Sequence, residues 1–90
     1  MSRCAICGST FQVEANHLGL RNHLACFTMP FCRQHHDRFH VLVRQAGIDL
    51  TYTDDPIERI RRALSAIKIA EWMLLEWMLQ ERLKEKCQKV

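Results

Sequence analysis

Cysteine and histidine are the residues of this sequence whose types and spacing can do chemistry. Cys4 and Cys7 form a CxxC pair followed by Gly8, and Cys32 and His35 repeat the same spacing after 24 intervening residues. A tight turn carrying two thiolates, joined by a second pair where a helix begins, completes the tetrahedral shell that zinc prefers. Gly8 suits the left-handed backbone of such a knuckle. The spacing therefore predicts a structural Zn2+ held by Cys4, Cys7, Cys32 and His35. Reduced cysteines filling a small core are the competing reading, and the paired spacing makes it the poorer one. His36 and His40 stand four residues apart, so on a helix both imidazoles share one face and can point at one ion. His35 lies ~100° around the helix from His36 and can face a different metal. The competing reading makes His36 and His40 ordinary surface or capping residues. Cys26 and Cys87 have no matching partner and read as plain apolar or surface residues.

The elements that must position these ligands are short. Phe11, Val13 and Ala15 alternate with Gln12, Glu14 and Asn16, which predicts a strand. Leu24 to Met29 reads as the returning strand, ended by Pro30. From Cys32 the period changes, and Phe39, Leu42, Val43 and Ala46 form one helical face stopped at Gly47. Residues 47 to 54 are a connector or a short extended piece. Asp55-Pro56 then predicts a helix start, with Asp55 as N-cap and Glu58 placed for a capping box. One helix can run from there to about Lys86, ~45 Å long. Ile57, Ile60, Leu64, Ile67, Leu74 and Met78 make one apolar stripe; Ile69, Trp72, Met73 and Trp77 make a second. One reading folds this helix back on the preceding module as ordinary core, with Arg59, Arg61, Arg62 and Lys68 on the wet face; the favoured reading makes the second stripe an interface for a homodimer or another protein partner.

Between the two metal pairs lie Glu14-Ala15-Asn16-His17-Leu18-Gly19 and Arg21-Asn22-His23. Taken in order, CAIC, EANHLGLRNH and TMPFCRQHHDRFH resemble the HNH (ββα-metal) nuclease family in its zinc-knuckle form. The resemblance spans Cys4 to His40, a little under half of the chain. It implies a small zinc-stapled, treble-clef-like ββα-metal module over residues 1–47; with the connector and long C-terminal α-helix read above for residues 48–90 in the same domain, the expected fold class is α+β. It also implies a metal-dependent endonuclease or nickase that hydrolyses DNA phosphodiester bonds. Carried over residue by residue, His17 matches the general base. Asn22 matches the asparagine that holds the loop orienting that base, with His23 its neighbour if the register slips. His36 matches a ligand of the catalytic divalent ion (Mg2+, Mn2+, Ni2+ or Zn2+), and His40 matches a further helical ligand. His35 stands where many members have a fourth zinc cysteine.

Asn16 departs from the family, which usually places a metal-binding His or Asp there. An amide oxygen can coordinate a hard ion but carries no charge; Glu14, on the same strand face, is the nearest carboxylate. Arg21, Arg33 and Arg38 lie close to these ligands in sequence and are the expected phosphate contacts. The alternative, from a different class, is a catalytically weak HNH-like zinc module that binds nucleic acid or a protein. Asn16 favours that alternative, whereas His17, His36 and His40 favour the enzyme.

Composition bounds these readings. Ninety residues suffice for one domain, which at this size often needs a metal or a partner chain for stability. All five histidines and four of the five cysteines fall in the first 40 residues, which separates a metal-rich half from a helix-rich half. A net charge of +3 makes any grip on nucleic acid local and salt-sensitive. No long uncharged apolar run predicts a membrane span, and the opening residues do not read as a secretory signal. A reducing, cytoplasmic location is the expectation, in which clustered Cys and His bind metal more often than they form disulfides.

Overall fold

The computed structural model describes the backbone of residues 2–88 and the side chains of residues 2–84, so the side chain of Cys87 lies outside the described residues. The fold is α+β. Strands β1 (Glu14–Gly19) and β2 (Leu24–Phe31) form an antiparallel pair, followed by helix α1 (Arg33–Gln45) and the 33-residue helix α2 (Pro56–Gln88). β1 starts three residues later than alternation suggested. Gln12 takes a positive φ of 48° inside a turn, and Phe11 stays exposed. β2 continues through Pro30, which was expected to end it. Pro30 pairs with Ala15, but its carbonyl accepts the Ala5 N–H at 2.7 Å, so the side of the strand where proline lacks a donor faces the CxxC turn and not β1.

The boundaries of both helices are local. Gly47, at φ 72°, terminates α1 in a Schellman arrangement: its N–H donates to the Arg44 carbonyl and the Ile48 N–H to the Val43 carbonyl. At the start of α2, Asp55 Oδ1 accepts from the N–H groups of Ile57 and Glu58. Glu58 does not complete the capping box. Its carboxylate instead accepts from Arg61 and Arg62 one turn on, and Arg62 also reaches the Thr51 carbonyl, leaving its side chain only 16% exposed. Arg62 is thus tied to the connector and does not lie on the wet face.

The core gathers at the meeting of all four elements. Phe31 and Phe39 pack edge to face at 6.1 Å, both fully buried, with Val43 beside them. α2 closes this core with Ala63, Ala66, Ala70 and Met73 and packs on β1, α1 and β2. Small alanine side chains let the helix backbone approach closely. The first stripe is consequently split: Ile57, Ile60, Leu64 and Met78 are exposed, whereas Ile67 and Leu74 pack against the core. The second stripe behaves oppositely to expectation, since Met73 is buried and Ile69 and Trp77 pack against the core, with only Trp72 outward. Replacing Phe39 with alanine should lower the unfolding free energy by about 3–5 kcal/mol, read as a shifted urea midpoint at unchanged slope.

Candidate functional site

Two groups of chemistry-bearing residues sit on opposite sides of the amino-terminal end of α1. In the first, Cys4 and Cys7 come from the turn that Gly8 closes at φ 75°, Cys32 caps α1, and His35 lies in its first turn. Their ligand atoms all lie within 4.8 Å of one another. Two sulfurs held ~2.3 Å from a tetrahedral ion stand about 3.8 Å apart, and a sulfur and an imidazole nitrogen about 3.5 Å. The observed separations are 3.8 Å for Cys7 Sγ to Cys32 Sγ, 3.6 Å for Cys4 Sγ to His35 Nδ1 and 3.3 Å for Cys32 Sγ to His35 Nδ1. The cluster can therefore hold a structural metal such as zinc.

Local electrostatics favour the ligating forms of Cys4 and His35 and oppose that of Cys7. Burial works against the Cys4 thiolate, but N–H groups of Cys32, Cys7 and Ile6 donate to it and hold its pKa below the ordinary thiol value. Burial raises Cys7, with the neighbouring sulfurs adding to the effect. Burial, helped by the Arg38 charge, lowers His35 and keeps its imidazole neutral, the form that ligates. The Trp77 ring stands edge-on to His35 at 5.6 Å and covers this side of the cluster.

The second group lines a cleft of about 390 Å³. β1 contributes Asn16 and His17, the turn after it Arg21 and Asn22, and α1 contributes His36 and His40. The Nε2 atoms of His36 and His40 are 3.2 Å apart, the spacing of two imidazole nitrogens on one ion at ~2.1 Å. Burial, then the charges of His36 and Arg44, lower the pKa of His40 and favour its neutral form. Asn16 is only 1% exposed, and neither its Oδ1 nor its Nδ2 has a hydrogen-bond partner. An amide desolvated this fully lacks about 1–3 kcal/mol of compensation until something supplies a partner. Among the described residues no thiolate, carboxylate or further imidazole joins His36 and His40 at ligand spacing.

His17 is aimed by an irregularity in the sheet. Pairing shifts between His17↔Thr28 and Gly19↔Leu24, so β2 carries extra residues there. The Ala25 carbonyl in that bulge lies 3.0 Å from His17 Nδ1. A carbonyl can only accept, so Nδ1 carries the proton and Nε2 keeps a free lone pair. Bulges commonly re-aim a side chain in this way. The Asn22 amide donates to the Leu50 carbonyl and His23 Nε2 to the Asp49 carbonyl, both at 2.9 Å, tying the β-turn to the connector.

Of the arginines singled out by sequence proximity, only Arg21 lines the cleft. Arg33 sits on the exposed surface of α1 with Asp37 at 3.5 Å. Arg38 points to the other side of the helix, bonded to Glu76 at 2.9 Å and lying over the Trp72 ring. Successive helical residues turn by ~100°, so two residues on from His36 is nearly the opposite face. Sequence reading passed over Arg44, whose charge acts on His40; its i+4 spacing from His40 was the available signal. Glu14 lines the cleft as well. Among the described residues, no helix is long and apolar enough to cross a membrane. Comparison with protein-family models, curated proteins and solved structures finds no match.

Proposed function

We propose that this chain is a metal-dependent endonuclease or nickase of the HNH type, hydrolysing DNA phosphodiester bonds with His17 as general base. One observation carries the reading: a single cleft collects Asn16, His17, His36 and His40, with Arg21 and Asn22 at its edge. Zinc at Cys4, Cys7, Cys32 and His35 is the structural staple. A divalent ion held by His36, His40 and the buried Asn16 amide, when bound, supplies Lewis-acid stabilisation of charge on the phosphate and the leaving 3′ oxygen.

The chain's own groups do the remainder. His17, with Nδ1–H held by the Ala25 carbonyl, presents Nε2 to take a proton from the attacking water. Arg21 contacts a phosphate. Asn22, through the Leu50 carbonyl, keeps the turn between β1 and β2 in place. The uncharged Asn16 favours a second reading, a nucleic-acid-binding zinc module with little turnover.

Supercoiled plasmid incubated with Mg2+, Mn2+, Ni2+ or Zn2+ tests the choice. Nicking with at least one ion is the expected result, and Asn16→Asp should lower the half-maximal metal concentration by about 10-fold, since an added ligand charge tightens binding of hard cations. Absence of cleavage with all four ions, together with a retained gel shift of DNA, would sink the enzyme reading and leave the binding module.

A further inference from the structure

The face of α2 turned away from the core is apolar at both ends and charged in the middle. Ile57, Ile60 and Leu64 are 78, 55 and 53% exposed on the amino-terminal side, and Leu75, Met78 and Leu79 are 47, 43 and 49% exposed on the carboxy-terminal side. Ile57, Leu64, Leu75 and Met78 fall into a 3–4 heptad seam that Arg61, Lys68, Glu71 and Arg82 complete, the spacing that lets two helices pack side by side. Lys68 and Glu71 stand at the centre of that seam, and no ion pair within the described residues engages either one.

We infer that this face binds a second copy of the chain, with the two α2 helices antiparallel and crossing between Lys68 and Glu71. Reversing one helix about that level places Leu64 against Leu75 of the other copy and Lys68 against the other Glu71, each twice by two-fold symmetry. A parallel pair would instead oppose Lys68 to Lys68 and Glu71 to Glu71. The charge distribution along the helix points the same way. Residues 56–68 carry four basic side chains against Glu58, a net +3, while residues 71–83, which face them in this register, carry Glu71, Glu76 and Glu81 against Arg82, a net −2. Antiparallel packing sets these halves against each other, and the complementarity selects register and orientation more than it adds affinity. The seam from Ile57 to Arg82 is ~38 Å long, and its apolar residues contribute little to their own chain's core, which α2 closes with alanines and Met73.

Sedimentation equilibrium of the zinc-loaded chain tests the inference, with circular dichroism and zinc content confirming that each variant is folded. The wild type should associate to a dimer at micromolar concentration. Leu64→Asp, at an exposed position, should raise the dissociation constant at least about 30-fold. Lys68→Glu and Glu71→Lys should each weaken the dimer about 10-fold, and the double exchange should restore it. Restoration is specific to the antiparallel pairing, because in a parallel pair the exchanged charges would still repel. A wild-type chain that stays monomeric to roughly 100 µM overturns the inference. So does a dimer that Leu64→Asp leaves intact, or one that the double exchange fails to restore.

Discussion

Treating the zinc-loaded chain with a chelator is expected to melt its amino-terminal half, since Cys4, Cys7, Cys32 and His35 can hold a structural metal. These ligands tie the CxxC turn to the junction of β2 and α1, which follow each other through Cys32. Cys4 and Cys32 are themselves core residues, in contact with the cluster that contains Phe31 and Phe39. Structural zinc sites carry roughly 10–16 kcal/mol of apparent binding free energy, whereas a whole domain is stable by only about 5–15 kcal/mol. The folded state of so small a unit cannot absorb such a loss. Far-ultraviolet circular dichroism during titration with a chelator should show loss of cooperative melting and its return when zinc is restored. Cys32→Ser should behave like the metal-free protein. Cys26→Ser, at an exposed cysteine outside the cluster, should melt like the wild type. A metal-free protein that melts within a few degrees of the loaded one would show that the four residues are not a staple.

His17→Ala is expected to reduce plasmid nicking by about 10²–10⁴-fold, the range over which a positioned general base acts, while zinc content and the melting curve stay unchanged. The hydrogen bond to Ala25 makes this prediction sharper than a motif match would. It fixes which nitrogen carries the proton and so which one can accept another. Arg38→Ala supplies the control, because that side chain lies on the opposite side of α1, bonded to Glu76. Its activity should remain within a few-fold of wild type, and Arg21→Ala should fall further. Equal losses in His17→Ala and Arg38→Ala would place the chemistry outside this cleft.

Much of the candidate site could be read from the sequence because metal ligands work in pairs at short separations. The CxxC and CxxH spacings set which atoms can share one ion before any tertiary contact forms, and a helix puts His36 and His40 on one face by its period alone. Helix ends were legible for the same reason: Asp55 and Gly47 act on N–H and carbonyl groups within a few residues of themselves. Arg38 shows where proximity in sequence fails, since two helical steps carry a side chain to the far surface. Glu58 failed differently. Its position suited a capping box, but two arginines one turn away compete for the same carboxylate, and charged donors form the stronger bonds.

By itself the sequence determined the grouping of Cys4, Cys7, Cys32 and His35, the histidine pair of the cleft, the order of elements, the end of α1 and the start of α2, because each depends on interactions that reach no further than about one helical turn or one tight knuckle. Only the tertiary structure decided which face of α2 is buried. Apolar stripes in the sequence weight large side chains, but close approach of the helix to α1 and the sheet selects Ala63, Ala66 and Ala70 and turns Ile57, Ile60 and Leu64 outward. It also decided that a bulge in β2 presents the Ala25 carbonyl to His17, and that Asn22 holds the connector through Leu50. Those contacts join residues 8 and 28 positions apart, and strand register and loop docking, which no local rule encodes, bring them together.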